Sequence, residues 1–224
     1  MLQAALFDYD GTLADTDAIH HQCWNRVLAP YGVAIDADFY SRHCSGAVSR
    51  HIAEQIVGHF PAVGCAAMAL AEQKDDAYRQ HVASGPVPLM PHVAEFIDWL
   101  SARDVTLAVV TGAPRDAILP TLGQHGLLDR FAVLVTRERV SRGKPAPDGY
   151  RLALAELGLS DPGWSVSFED TRDGTLAAKA AGLRSVAIPH TYTRSHDFSA
   201  ADHVVASIRD ARGCLEPLMH ARPS

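Results

Sequence analysis

At 224 residues, 47% hydrophobic and 21% charged, the chain has the composition of an ordinary globular protein, long enough for one large domain or a medium domain carrying a smaller one. A formal charge of -6 argues against nucleic acid or an anionic membrane surface as the partner, because both need concentrated positive charge. No apolar run is long enough for a bilayer span, and the four cysteines, Cys23, Cys44, Cys65 and Cys214, form no Cys-x-x-Cys pair, so the reading is an untargeted cytoplasmic chain with neither a zinc site nor a disulfide framework.

The first predicted strand, Ala4 to Phe7, stops abruptly at Asp8-Tyr9-Asp10-Gly11-Thr12. Such a run reads as a buried parallel strand that delivers its charges to the sheet's C-terminal edge, where open α/β sheets place their chemistry. Strand alternation sends Asp8 and Asp10 to one face and Tyr9 into the fold, and Gly11 permits a sharp turn, so the two carboxylates can converge. Two neighbouring anions repel, and a divalent cation is the usual remedy. Taken alone, the pentapeptide is equally readable as a polar turn.

Helical spacing follows from Asp17 to Tyr31, with Gly32 as a stop, then over Phe39 to His43, Val48 to Val57 and Cys65 to Val82. Residues 15–85 therefore read as an all-helical insert closed by Ser84-Gly85-Pro86-Val87-Pro88, with linkers near 14–16 and 85–90 forming a hinge. Beyond it, strands and helices alternate. Helices are predicted over Pro91–Ala102, Pro114–His125, Pro147–Leu157, Asp173–Ala181 and at the C-terminus. Strands are predicted over Val105–Val110, Phe131–Val135, Trp164–Phe168, Ser185–Ile188 and His203–Val205. This pattern predicts an α/β fold, a doubly wound parallel sheet with helices on both faces.

Three further stretches stand at strand ends. Thr111-Gly112-Ala113-Pro114 places a hydroxyl and small residues at a helix start, a setting for an oxyanion or simply an ordinary cap. Lys144, in the proline-bounded turn Gly143-Lys144-Pro145-Ala146-Pro147, has restricted reach that suits neutralising a developing charge, although a lone lysine is usually solvated. Glu169-Asp170 ends another apolar strand, repeating the arrangement of Asp8 and Asp10. Hard oxygen ligands from two strand ends suit Mg²⁺ completed by waters and a substrate phosphate.

In this order the four stretches resemble motifs I to IV of the haloacid dehalogenase-like hydrolases, with Asp-x-Asp-Gly-Thr the signature of their phosphatase branch. The resemblance implies Asp8 as nucleophile, Asp10 as acid/base with its carbonyl on the metal, and Thr111, with Gly112 and Ala113, holding phosphoryl oxygens. It implies Lys144, rather than Arg142, as the neutralising cation, Asp170 as a direct Mg²⁺ ligand and Glu169 as a ligand or outer partner; Asp173 reads as a helix-start residue or outer acceptor. The helical insert, 15–85, resembles a C1-type cap on a core made of 1–14 and 86–224. The second aspartate argues against dehalogenases, and the lack of membrane spans against P-type ATPases.

Within the insert, Ser45-Gly46-Ala47-Val48-Ser49-Arg50 with His20, Trp24 and Lys74 resembles the β-phosphoglucomutase-like subfamily. Arg50 would hold a second phosphate, Lys74 would approach the acid/base and His20 would be a hinge partner. Where the mutases carry Ser-Lys after motif II, this chain has Ala113 and Pro114, and Thr12 also leans toward phosphatases. The expectation is a Mg²⁺-dependent phosphatase of a small phosphorylated metabolite, in the sugar phosphate or phosphoglycolate class, acting as a monomer or dimer. A phosphohexomutase is the alternative, and a non-catalytic binding protein the outside reading. The polar loop 189–202 is assigned no role.

Overall fold

The computed structural model describes residues 1–85 and 87–220. Pro86, in the second expected linker, and residues 221–224, at the end of the expected core region, lie outside the described residues. Strands β1 (Ala4–Phe7), β2 (Thr106–Val110), β3 (Val133–Val135), β4 (Ser165–Glu169), β5 (Arg184–Ala187) and β6 (His203–Val204) form one 6-stranded sheet in the order β3-β2-β1-β4-β5-β6. All pairings are parallel, with Leu6 opposite Ala108 on one side and Ser167 on the other.

The central strands are apolar along their length because both faces are covered. Ala5 and Phe7 join one apolar cluster with Leu107, Val109 and Phe168, whereas Ala4 and Leu6 join another with Ala108 and Val110. The first face packs under helices α5 (Val93–Ser101), α6 (Arg115–Gln124) and α9 (Ala211–His220), and the second under α7 (Asp148–Glu156) and α8 (Arg172–Ala180). Phe7 stacks on Phe168 at 4.8 Å between ring centroids and meets Phe96 edge-on at 6.3 Å, which locks β1 against β4 and α5.

The chain leaves the sheet after β1 and forms α1 (Asp17–Leu28), α2 (Ala37–His43), α3 (Ser49–His59) and α4 (Ala67–Ser84) before returning. These helices enclose an apolar cluster of their own, including Trp24, Leu28, Tyr40, Ile56 and Leu70. Ile19 and Cys23 of α1 and Tyr78 and Val82 of α4 belong instead to the sheet-side cluster, so the block is also packed onto the core.

The predicted boundaries shift by a few residues. The first helix stops at Leu28, and Ala29–Tyr31 is a tighter 3-10 turn ended by Gly32 at φ 67°. Pro30 supplies the reason: it has no N–H to continue the ladder. Helix α2 begins earlier than the spacing suggests, because the Asp36 carboxylate caps it by accepting from the Phe39 N–H at 2.7 Å.

Candidate active site

The strand order reverses between β1 and β4, and a crevice opens beyond the carboxyl ends of strands at such a point. Asp8 follows β1 directly. Its N–H donates to the Phe168 carbonyl at 3.0 Å, extending the ladder and aligning it with Glu169 and Asp170. The turn after Asp8 is tied by the Leu13 and Ala14 N–H groups, both donating to the Tyr9 carbonyl at 2.9 Å. Gly11 sits at φ 71°, and a β-carbon there would lie 2.6 Å from Asp170 Oδ2, so this position requires glycine on both backbone and steric grounds.

Lys144 reaches in from the turn after β3. Its ammonium lies 2.7 Å from Asp8 Oδ1 and 2.6 Å from Glu169 Oε1. Burial pushes the Asp8 carboxyl up, Lys144 opposes it, and the net direction is upward. The same balance raises Glu169, whose carboxylate also accepts a hydrogen bond from Tyr150. Lys144 itself is held firmly protonated, because its two carboxylate partners outweigh its own desolvation.

Asp170 is buried and its carboxyl is raised, first by desolvation, with Asp8 and Asp17 adding to the effect. Ligand atoms of Asp8, Glu169 and Asp170 all lie within 4.8 Å of one another. Three buried carboxylates this close, two of them sharing Lys144, form a hard-oxygen donor set that fits a divalent cation. A β-carbon at Gly174 would overlap the Glu169 carboxylate, so the start of α8 closes tightly over this side of the cluster.

Thr111 follows β2 directly, and its hydroxyl oxygen accepts from the Ala113 N–H at 2.9 Å, which curls Thr111-Gly112-Ala113 around the cleft. Asp10, one turn beyond Asp8, accepts from the Thr16 hydroxyl at 2.7 Å and faces His20 Nε2 at 3.5 Å. Burial pushes the Asp10 carboxyl up, but His20, Thr16 and Lys74 together outweigh it, leaving it below the ordinary range. His20 stacks on Tyr78 at 4.1 Å. The cleft between the strand ends and the helices has a volume of about 310 Å³.

The sequence matches the haloacid dehalogenase-like hydrolase family over residues 5–188. The chain belongs to the haloacid dehalogenase-like hydrolases. It is 39% identical over 212 residues to the protein CbbY of Rhodobacter capsulatus, covering 90% of this chain and 91% of that one. It is 34% identical over 231 residues, with 100% coverage of both chains, to validoxylamine A 7'-phosphate phosphatase of Streptomyces hygroscopicus subsp. limoneus. Among solved structures, a mutant of CbbY from Rhodobacter sphaeroides in complex with xylulose-(1,5)bisphosphate superposes with a TM-score of 0.81 at 29% identity, covering 93% of this chain and 95% of that one.

In this haloacid dehalogenase-like chain, Asp8, Asp10, Thr111, Gly112, Ala113, Lys144 and Asp170 all line the one cleft. Glu169 lies behind Lys144 with its side chain 0% exposed. Arg142 is tied to Asp148 at 2.7 Å, which leaves Lys144 as the cation on Asp8. Asp173 stands in the first turn of α8 at the cleft, paired with Arg172 at 3.1 Å. Tyr9 points into the core as alternation requires.

From the helices, His20 and Lys74 reach the cleft. Lys74 is buried, donates to Ser49 Oγ at 3.1 Å and lies 5.5 Å from the Tyr78 ring centre. Arg50 does not join them. Its side chain is 68% exposed and pairs with Glu54 at 3.1 Å along the outer face of α3, outside the residues that line the cleft. Ser49, one residue earlier, takes the inward position.

Sequence reading missed His190, in the loop after β5. Its Nε2 lies 3.0 Å from Asp170 Oδ2 and 3.2 Å from Asp17 Oδ2. Asp17 also accepts from the Tyr40 hydroxyl at 2.8 Å, so this imidazole connects the sheet's edge to the helical block. Two residues on, the Tyr192 carbonyl accepts a hydrogen bond from Ser41. The loop previously without a role therefore borders the site.

Proposed function

We propose that the chain is a Mg²⁺-dependent phosphatase of a small phosphorylated sugar or sugar-like metabolite, with residues 15–85 acting as a cap over the core. The observation that carries this reading is the meeting of Asp8, Lys144 and Asp170 at the reversal of the strand order, beside Thr111. The named ligands of the relatives, validoxylamine A 7'-phosphate and xylulose-(1,5)bisphosphate, are phosphorylated small molecules, which supports the class.

The geometry supports the following roles. Asp8 Oδ attacks phosphorus, the bond from phosphorus to the leaving oxygen breaks, and Asp10 gives that oxygen its proton. Water then attacks the phosphorus of the aspartyl-phosphate, Asp10 takes the proton, and inorganic phosphate leaves with the Asp8 carboxylate restored. Lys144 cancels part of the repulsion between the carboxylate and the phosphoryl oxygens, and Thr111 with the backbone of Gly112 and Ala113 holds those oxygens. Asp8, Asp170 and the Asp10 carbonyl would hold the magnesium ion, with Glu169 holding Lys144 in place; when bound, the ion supplies positive charge to the anionic transition state.

On the cap side, Trp24 Nε1, Tyr78 OH and His20 Nδ1 are buried polar atoms without a partner among the described residues. All three residues line the cleft, where substrate hydroxyls would satisfy them. The mutase reading loses support because Arg50 faces outward and Ala113-Pro114 offer no cation at the opposite wall.

The test is phosphate release from a panel of sugar phosphates with and without divalent cations. Removing the cations with EDTA is expected to lower the rate by roughly 10³-fold, the equivalent of several kcal/mol of charge stabilisation, with recovery on adding Mg²⁺. An unchanged rate in EDTA contradicts the metal, and no release from any substrate contradicts the phosphatase. Conversion of β-glucose 1-phosphate to the 6-phosphate would favour the mutase instead.

A further inference from the structure

A single N–H group stands between Asp170, on the sheet, and Asp17, on the helical block. His190 Nε2 lies 3.0 Å from Asp170 Oδ2 and 3.2 Å from Asp17 Oδ2. Carboxylates only accept, so the imidazole nitrogen is the donor and its hydrogen is shared between the two. Ligand-type atoms of the three residues lie within 4.8 Å of one another. Without that hydrogen, two buried anions, one from each part of the chain, would face and repel each other. The backbone closes a third side, since a β-carbon on Gly11 would lie 2.5 Å from the same nitrogen.

Each carboxylate is also held on its far oxygen. Asp170 Oδ1 accepts from the Thr12 hydroxyl at 3.4 Å, and Asp17 Oδ1 accepts from the buried Tyr40 of α2 at 2.8 Å. The histidine is rooted just as firmly. The Ile188 N–H donates to the Glu169 carbonyl at 2.7 Å, and the His190 N–H donates to the Thr193 hydroxyl at 3.0 Å. The His190 carbonyl accepts from the N–H groups of Thr193 and Arg194 at 3.0 and 2.9 Å. Tyr192 of the same loop meets the Tyr40 ring edge-on at 5.0 Å between centroids. His190 itself is not among the residues that line the cleft, so it acts on the reaction only through the groups it holds.

A hydrogen bond to a metal-binding carboxylate sets its orientation and strengthens the site. We propose that His190 is a positioning residue: its shared N–H orients Asp170 for the divalent cation and seats the helical block on the sheet through Asp17, so that cation binding and seating of the block are coupled. This inference rests on the metal-dependent phosphatase reading. The coupling is reciprocal: fixing Asp170 at a cation fixes His190 and Asp17 with it, and loss of the Asp17 contact weakens the cation site.

The experiment measures Mn²⁺ affinity without substrate, from the electron paramagnetic resonance signal of the free ion, in wild type, His190→Ala, His190→Gln, Asp17→Ala and the His190→Ala, Asp17→Ala double variant. Amide exchange read by mass spectrometry, with and without Mg²⁺, follows the helical block. His190→Ala is expected to lose about 10- to 100-fold in affinity. His190→Gln keeps an N–H donor of similar reach and is expected to stay within about fivefold of wild type. Asp17→Ala is expected to lose about fivefold, and the double variant no more than His190→Ala alone, because both act through one hydrogen. Mg²⁺ is expected to slow exchange in α2 of the wild type by about threefold or more, and to have no such effect in His190→Ala or Asp17→Ala. Asp17→Ala reads the coupling independently of the histidine substitutions. Affinity of His190→Ala within about twofold of wild type, additive losses in the double variant, or α2 exchange in the wild type indifferent to Mg²⁺ overturns the inference and leaves the phosphatase standing. Two ions per wild-type chain, one of them lost in His190→Ala, would make the imidazole a ligand and overturns it as well. No binding of Mn²⁺ or Mg²⁺ by the wild type removes the metal-dependent phosphatase reading and this inference with it.

Discussion

Asp8→Asn is expected to lower phosphate release by at least about 10⁴-fold with little change in KM, because the amide is close in shape to the carboxylate but is not a nucleophile. The residue stands at the one point where β1, the Lys144 turn and the end of β4 converge, with Lys144 2.7 Å from its carboxylate. Neither Asp10 nor Asp170 is placed to substitute: Asp10 is engaged by Thr16 and faces His20, and Asp170 is held by His190. Burial already disfavours the Asp8 charge, so a neutral side chain is tolerated and the thermal midpoint should stay within a few degrees of wild type. A variant that folds and still hydrolyses substrate at more than about a hundredth of the wild-type rate would remove Asp8 from the mechanism.

Lys144→Ala is expected to act on both stability and rate. The lysine is mostly buried between two carboxylates, and removing the cation of such a cluster costs about 3–5 kcal/mol before protonation of the carboxylates offsets part of it. Glu169 is the carboxylate placed to take that proton, since burial already raises it. Catalysis should fall by roughly 10³-fold, the scale seen when a donor aimed at developing charge is removed. Lys144→Met, which keeps the chain's bulk, separates the effects. Urea denaturation should show it more stable than the alanine variant and equally inactive. Wild-type turnover in the folded methionine variant would contradict the assignment.

The legible part of the site is the part carried by strand ends. Asp8, Thr111, Lys144 and Asp170 each follow an apolar run or a proline-bounded turn, and a parallel sheet buried on both faces leaves only its carboxyl edge for charge. His190 sits at a strand end too, but a single histidine in a polar loop has no pattern that separates it from a solvated one. Asp17 is an acidic residue at a helix start, a common pattern without a functional signature, and its link to His190 crosses from the helical block to the sheet. Tyr150, fully buried beneath the sheet, carries no sequence motif, yet its hydroxyl holds Glu169.

Arg50 stands outside the cleft lining, and the cause is helical geometry. Ile52, Ala53 and Ile56 set the buried face of α3, and one residue moves a side chain by about 100° around the axis. That step places Ser49 beside Lys74 and turns Arg50 toward Glu54, four residues on.

The most direct measurement is the stereochemical course of phosphoryl transfer to water, followed with a phosphorothioate substrate made chiral at phosphorus by sulfur and two oxygen isotopes and hydrolysed in water of the third. Attack by Asp8 followed by attack of water inverts phosphorus twice, so the released thiophosphate should show net retention. Net inversion would mean that water attacks the substrate directly, and the assignment of Asp8 as nucleophile would fail.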